Sequence, residues 1–270
     1  MLARYDHSIV TLLGEQAEAH EACVLDTVGD TLSVLVRLRR ASGKVVHYRL
    51  RIEASGPEPK VREEAPERLP AFCPNRHVNV GGYFCLSFSA ADPLPVRDVS
   101  SAMAWWARLL KFLNLQESAS TLRRWPTTRE WAHGDAAKHQ CRAELCAVVL
   151  GPRFAEALNQ RRLSAKPTGN NFVRLHDGKT RLYSVWSEAR RVATLRQACP
   201  CGSGQPIITC GDHAERAAEL PFALLAWRKA EQEFWDSARG QTCCGTLRDC
   251  PLRQSTALSA ANEVPTEQAA

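Results

Sequence analysis

His77-Val78-Asn79-Val80-Gly81-Gly82-Tyr83-Phe84-Cys85-Leu86 is the stretch on which the reading of this chain turns. Two adjacent glycines let the backbone fold back tightly without a side chain. A histidine and an asparagine thus stand on one side of a tight turn and a cysteine on the other. Taken alone, a cysteine between Phe84 and Leu86 reads as a small buried hydrophobe. The His-Val-Asn run before it and the order of elements around it weigh against that reading.

Upstream, Thr31 to Arg39 alternates Leu32, Val34, Val36 and Leu38 with polar or small partners. Val45 to Ile52 repeats the pattern after Ala41-Ser42-Gly43-Lys44, which predicts a hairpin with one buried face. Residues 8 to 20 predict a short helix before it. Between hairpin and loop, Pro57, Pro59, Pro66, Pro70 and Pro74 leave room for only a short edge strand around Lys60 to Glu64. Downstream, beyond Pro93 and Pro95, the spacing predicts a helix over Asp98 to Asn114 with Val99, Met103, Trp106, Leu110 and Leu113 packed on the sheet. Thr127 and Glu130 form a capping-box signal for a helix that runs to about Leu150 and stops at Gly151-Pro152. A helix over Arg153 to Leu163 gives way at Lys166-Pro167-Thr168-Gly169 to a hairpin, Phe172 to Leu175 and Arg181 to Val185 flanking His176-Asp177-Gly178-Lys179. Ala214 to Arg239 reads as helical, with a kink expected at Pro221.

The loop and its setting resemble the active-site region of ubiquitin-conjugating enzymes, in which a His-Pro-Asn triplet precedes a glycine turn, two residues, the catalytic cysteine and a leucine. The resemblance covers roughly residues 5 to 150 and implies their α+β (UBC) fold, an antiparallel meander sheet packed by helices. It implies that Cys85 accepts the C-terminal glycine of a ubiquitin-like protein from an activating enzyme and passes it to an amine on a protein target. By the same resemblance Asn79 is the amide donor to the developing oxyanion, worth roughly 3 kcal/mol when its geometry is held, and His77 organises the loop backbone. Val78 departs from the family's proline, and the interval from Asn79 to Cys85 is shorter than in common eukaryotic members. Arg123-Arg124-Trp125-Pro126 and Glu130-Trp131-Ala132-His133-Gly134 look similar to bacterial relatives encoded beside ubiquitin-like proteins, activating enzymes and deconjugating peptidases in antiviral defence clusters.

No apolar run is long enough to span a membrane, and Met1 to Leu13 carries Arg4, Asp6 and His7 where a secretory signal would be uninterrupted. A cytoplasmic protein is expected. There, eleven cysteines read as metal ligands or catalytic thiols rather than a disulfide framework. Cys199-Pro200-Cys201-Gly202-Ser203-Gly204 with Cys210 and His213 has the spacing C-x-C-x8-C-x2-H, two close pairs that can enclose a tetrahedral structural zinc. It resembles the SEC-C zinc motif. The fourth ligand is either His213 or a thiol from Cys243, Cys244 and Cys250, which otherwise form part of a second site, so one zinc or two stays open. Cys141 and Cys146 read as core or surface residues, His133 as structural, and Cys73 has no assigned role.

The expected division is a UBC-like domain over 1–150, a connecting helix and hairpin over 151–198, a small cysteine-rich zinc module over 199–253 and a disordered tail over 254–270. A net charge of +6 with scattered arginines does not call for a nucleic-acid partner. Three further readings stand beside conjugation. They are a catalytically inactive UBC-fold adaptor bearing zinc, a hydrolase pairing Cys85 with His77 or His133, and a zinc-dependent nucleic-acid binder whose affinity would fall steeply with salt.

Overall fold

Alternating apolar residues in a strand all point to one face, and in the computed structural model that rule builds the first sheet. Residues 8–40, 42–127, 131–193 and 196–253 are described. Strands β1 (Ala22–Val28), β2 (Thr31–Arg39), β3 (Val45–Glu53) and β4 (Lys60–Glu63) form an antiparallel meander in the order β1-β2-β3-β4. The register sets Val34 opposite Leu50 and Val36 opposite Tyr48, so the apolar rows of β2 and β3 share one buried face. Strand β1 was not expected. Its side chains beyond Ala22 are exposed and a bulge falls between Val24 and Asp26, which leaves no period-two pattern to read.

Helix α1 (Ile9–Gln16) and helix α2 (Val99–Leu122) cover that face. They are tied by the indole nitrogen of Trp106, which donates to the carbonyl of Leu13 at 2.9 Å. Asp98 caps α2 in a reciprocal box with Ser101, fixing its start as expected. The buried stripe differs from the expectation. Ala102, Trp105, Trp106, Leu109, Phe112, Leu113, Gln116 and Ala119 face inward, whereas Val99 and Met103 are about half exposed, at 47% and 48%. The two adjacent tryptophans centre the contact, and the stripe rotates to accommodate both.

The chain divides into two compact units, one comprising residues up to Thr128 with those from Arg239 onward, the other Arg129–Ala238. The second unit holds α3 (Ala136–Val149), α4 (Pro152–Asn159), α5 (Ala214–Ser237) and an antiparallel meander β5-β6-β7-β8 over Leu163–Thr168, Phe172–Asp177, Thr180–Trp186 and Arg191–Val192. Helix α3 begins at Ala136, later than the capping signal suggested, because the chain first turns through Gly134 at φ 52°; Glu130 of that signal lies outside the described residues. A Cβ at Gly134 would stand 3.3 Å from the Phe234 ring, so the turn needs glycine on two counts. Helix α4 ends at Asn159, and Leu163 opens a strand where a helix was expected. Pro167, read as part of a turn, sits inside β5, tolerated there because β5 is an edge strand. Helix α5 runs on through Pro221.

The units cut the chain differently from the expected division. Ala143, Cys146, Ala147 and Leu150 of α3 lie in the core shared with α5 and the second sheet, while the last cysteines belong to the first unit. The tail 254–270 falls outside the described residues. Among the described residues no helix is long and apolar enough to cross a membrane.

Candidate functional site

The loop from His77 to Cys85 continues the first sheet at its β4 edge. The amide of Phe84 donates to the carbonyl of Val61 at 2.8 Å, and Arg62 bridges to Tyr83. Val78 in turn bridges antiparallel to Phe84, and both are buried. Around that apolar pair the amide of Cys85 donates to His77 O at 2.8 Å and the amide of Asn79 to Tyr83 O at 2.7 Å. Gly81 and Gly82, both at φ 79°, make the connecting turn, the left-handed conformation that favours glycine. The two arms of the motif are therefore paired, with Asn79 exposed and Cys85 half-buried.

Neighbouring groups hold the segment after the thiol. Cys85 Sγ lies 3.9 Å from the Ser87 carbonyl, and Ser87 and Ser89 both donate to Glu58 Oε2 at 3.0 Å. From α2, Arg108 donates to Leu86 O at 3.1 Å and pairs with Asp92 at 2.7 Å. His77 is 8% exposed, its ring centroid 5.1 Å from that of Trp125, and its backbone is left-handed at φ 53°. Below it, Arg76 is buried against Gln116 and Ser120.

The second constellation lies in the second unit. The ligand atoms of Cys199, Cys201, Cys210 and His213 all fall within 4.8 Å of one another. Cys201 Sγ is 4.0 Å from Cys210 Sγ, which is 3.3 Å from His213 Nδ1. The backbone explains the convergence. Cys199 N donates to Gln205 O at 2.8 Å, closing the Cys-Pro-Cys-Gly-Ser-Gly turn, and His213 caps α5 three residues beyond Cys210. Ser203, 3.1 Å away, draws the exposed Cys201 thiol down to about 6, while burial pushes Cys199 up to about 12. Three thiols and an imidazole at this spacing are a donor set for a tetrahedral metal ion. His213 is in place as a fourth ligand.

Cys243, Cys244 and Cys250 lie in the first unit. Cys73, to which the sequence assigned nothing, is their neighbour there. Its only local signal was a position four residues before His77. His133 is held within the second unit, its Nδ1 2.7 Å from Glu231 Oε1 and its ring stacked on Phe234, in keeping with a structural role.

Residues 20–127 match the family model of the prokaryotic E2 domain, and residues 132–252 match that of the cysteine-rich domain C-terminal to E2 domains. No curated protein and no solved structure matches the chain significantly.

Proposed function

Because this chain belongs to the cysteine-rich, prokaryotic E2-like family, we propose that it carries a ubiquitin-like protein as a thioester on Cys85 and hands it to an amine. The observation that carries this reading is the half-buried Cys85 thiol on an arm hydrogen-bonded to the His77–Asn79 arm. The Cys85 thiolate attacks the terminal carbonyl of the modifier on its activating enzyme; the new carbon–sulfur bond forms and the activating enzyme's thiolate leaves. A target amine then adds to the Cys85 thioester, loses its proton to solvent, and expels the Cys85 thiolate. Negative charge on the carbonyl oxygen peaks in both steps, and a held amide donor from Asn79 lowers that barrier by about 3 kcal/mol. His77 is a positioning residue that acts through its carbonyl and its packing on Trp125.

Cys199, Cys201, Cys210 and His213 would hold a zinc ion, whose chemistry is a structural cross-link between two ends of a short loop. The cysteine-rich region then recruits a protein partner or target. Bacterial antiviral defence and a cytoplasmic setting belong to the same proposal and rest on the sequence resemblance.

The test mixes full-length protein with the cognate modifier, activating enzyme and ATP. A thiol-cleavable adduct is expected, absent in Cys85→Ala and converted to a thiol-resistant ester in Cys85→Ser. Modifier binding with no adduct from the intact protein would replace conjugation with the adaptor role.

A further inference from the structure

We propose that Cys73, Cys243, Cys244 and Cys250 form a second metal site, a four-thiolate centre for zinc that fastens the C-terminal segment to the base of the Cys85 loop. Cys73 and Cys250 are buried, at 1% and 2% exposure, and Cys243 and Cys244 are half-buried. Asn75 and Arg76, just after Cys73, bond to Asp249 and Thr246, which places the Cys73 thiol beside those of both Cys244 and Cys250, with Cys243 next to Cys250. One sulfur beside two others is not the arrangement of a disulfide, which satisfies sulfurs in pairs. It is the beginning of a shared coordination shell, and thiolates select soft or borderline ions such as zinc.

The backbone around these thiols is built to bring them together. Gly245, at φ 69°, turns the chain so that its amide donates to Cys243 Sγ at 3.4 Å, the kind of support that ligand sulfurs receive from neighbouring amides. Thr246 Oγ1 lies 3.1 Å from Cys244 Sγ. Direct contacts also seat the segment. Asn75 donates to Asp249 O at 3.3 Å, Arg76 to Thr246 Oγ1 at 3.2 Å and Arg248 N to Arg123 O at 2.9 Å, while Leu247 and Leu252 are buried. The contacts run from Cys244 through Cys73 and Cys250 to Cys243. The four sulfurs do not all lie within 4.8 Å of one another as the Cys199 set does, so an ion would draw them closer.

The location gives the site a consequence. Cys73 exchanges both backbone hydrogen bonds with Val78, at 2.9 and 3.1 Å, and Val78 bridges to Phe84. An ion on Cys73 therefore pins the first arm of the loop whose second arm carries Cys85. The stoichiometry of this site does not depend on whether Cys85 forms a thioester.

Metal per chain, measured on full-length protein after dialysis, tests the idea together with X-ray absorption at the zinc edge. Intact protein is expected to hold two zincs with seven sulfurs and one nitrogen between them. Cys201→Ser should keep one zinc, ringed by four sulfurs, and adding Cys73→Ser should remove it. Zinc that survives Cys73→Ser unchanged in amount, a disulfide among these four residues in freshly purified protein, or nitrogen or oxygen ligands on the zinc of Cys201→Ser would overturn the proposal. A single zinc lost in Cys73→Ser would support this site and reject the Cys199 site. On the unmutated protein the ligand set is decisive without any variant: a zinc ringed by four sulfurs supports the site, and zinc bound only through three sulfurs and a nitrogen, or no zinc, overturns it.

Discussion

The amide of Cys85 donates to the carbonyl of His77 over 2.8 Å, so the candidate nucleophile is backbone-paired to a residue held at φ 53°. A side chain in that left-handed region costs of order 1–2 kcal/mol, and more when it is β-branched. The His77 ring offsets this by packing on Trp125. His77→Gly should relieve the strain and lose the ring, whereas His77→Val should lose the ring and add strain. We expect His77→Val to be less stable than His77→Gly by about 1–2 kcal/mol in urea unfolding, and slower in thioester formation. Equal stability would mean that the left-handed backbone does not set the loop.

Gln116 carries the second prediction. Its Oε1 accepts from Arg76 Nε at 2.7 Å and its Nε2 donates to Arg76 O at 2.5 Å, while Arg76 Nη2 reaches the Gln116 and Ser120 oxygens. Both side chains are essentially inaccessible, at 0% and 1% exposure. Gln116→Leu keeps the bulk but strips a buried guanidinium of an acceptor, which should cost about 3 kcal/mol. Gln116→Glu should recover only part of that, since a carboxylate accepts the Arg76 Nε bond but has no N–H for the Arg76 carbonyl. Chemical denaturation of the three proteins measures the ranking, and a Leu variant as stable as the parent would refute it.

What the sequence disclosed and what it hid follow from the same physics. Strands β2 and β3 were legible because Leu32 to Leu38 and Val46 to Ile52 face a core on one side and water on the other, and a half-buried strand writes that alternation into its residues. Strand β1 was hidden because it buries almost nothing, and β5 because Pro167 marks a break unless its strand is known to be an edge. Helix α2 outran its expected end at Asn114. Beyond Asn114 small and polar residues such as Ser118 and Ser120 thin out the apolar stripe, and within the helix each hydroxyl bonds the carbonyl four residues back. In the candidate site, Cys199 to His213 was readable since all its ligands sit in one short segment. Cys73 was not, because its neighbours arrive from the far end of the chain, as with Arg76 and Thr246, 170 positions apart.

Metal removal gives a third prediction. Cys199, Ile207 and Cys210 are anchored in the second core, but the turn between them is exposed from Cys201 to Gln205, so coordination would supply much of the folding free energy of that turn, on the order of 10 kcal/mol for structural zinc. A strong chelator should raise amide exchange across 198–214 while β2 and β3 stay protected. Exchange followed by mass spectrometry reads this directly. Unchanged protection in 198–214 after verified metal loss would show that the loop folds without an ion.

The last prediction concerns acid. Burial raises the Glu219 pKa, but contacts from Arg142, Cys146 and Arg216 outweigh it and leave the carboxyl below its ordinary value of 4.5. Arg216 Nη1 stands 2.9 Å from Oε2, and Arg142 pairs with Oε1. A carboxyl depressed by folding binds fewer protons in the native state than in the unfolded one, so its contribution is fully present above the unfolded value and is lost as pH falls through the folded value. Glu219→Gln should therefore be less stable than the parent at pH 6, with the gap narrowing as pH drops below about 4.5. Glu231 is also depressed, against its own burial, by its bonds from His133, so the variant keeps part of its acid sensitivity and the comparison must be the difference between the two proteins. Thermal unfolding from pH 3 to 6 supplies that difference, and a gap independent of pH would show that Glu219 acts through packing rather than charge.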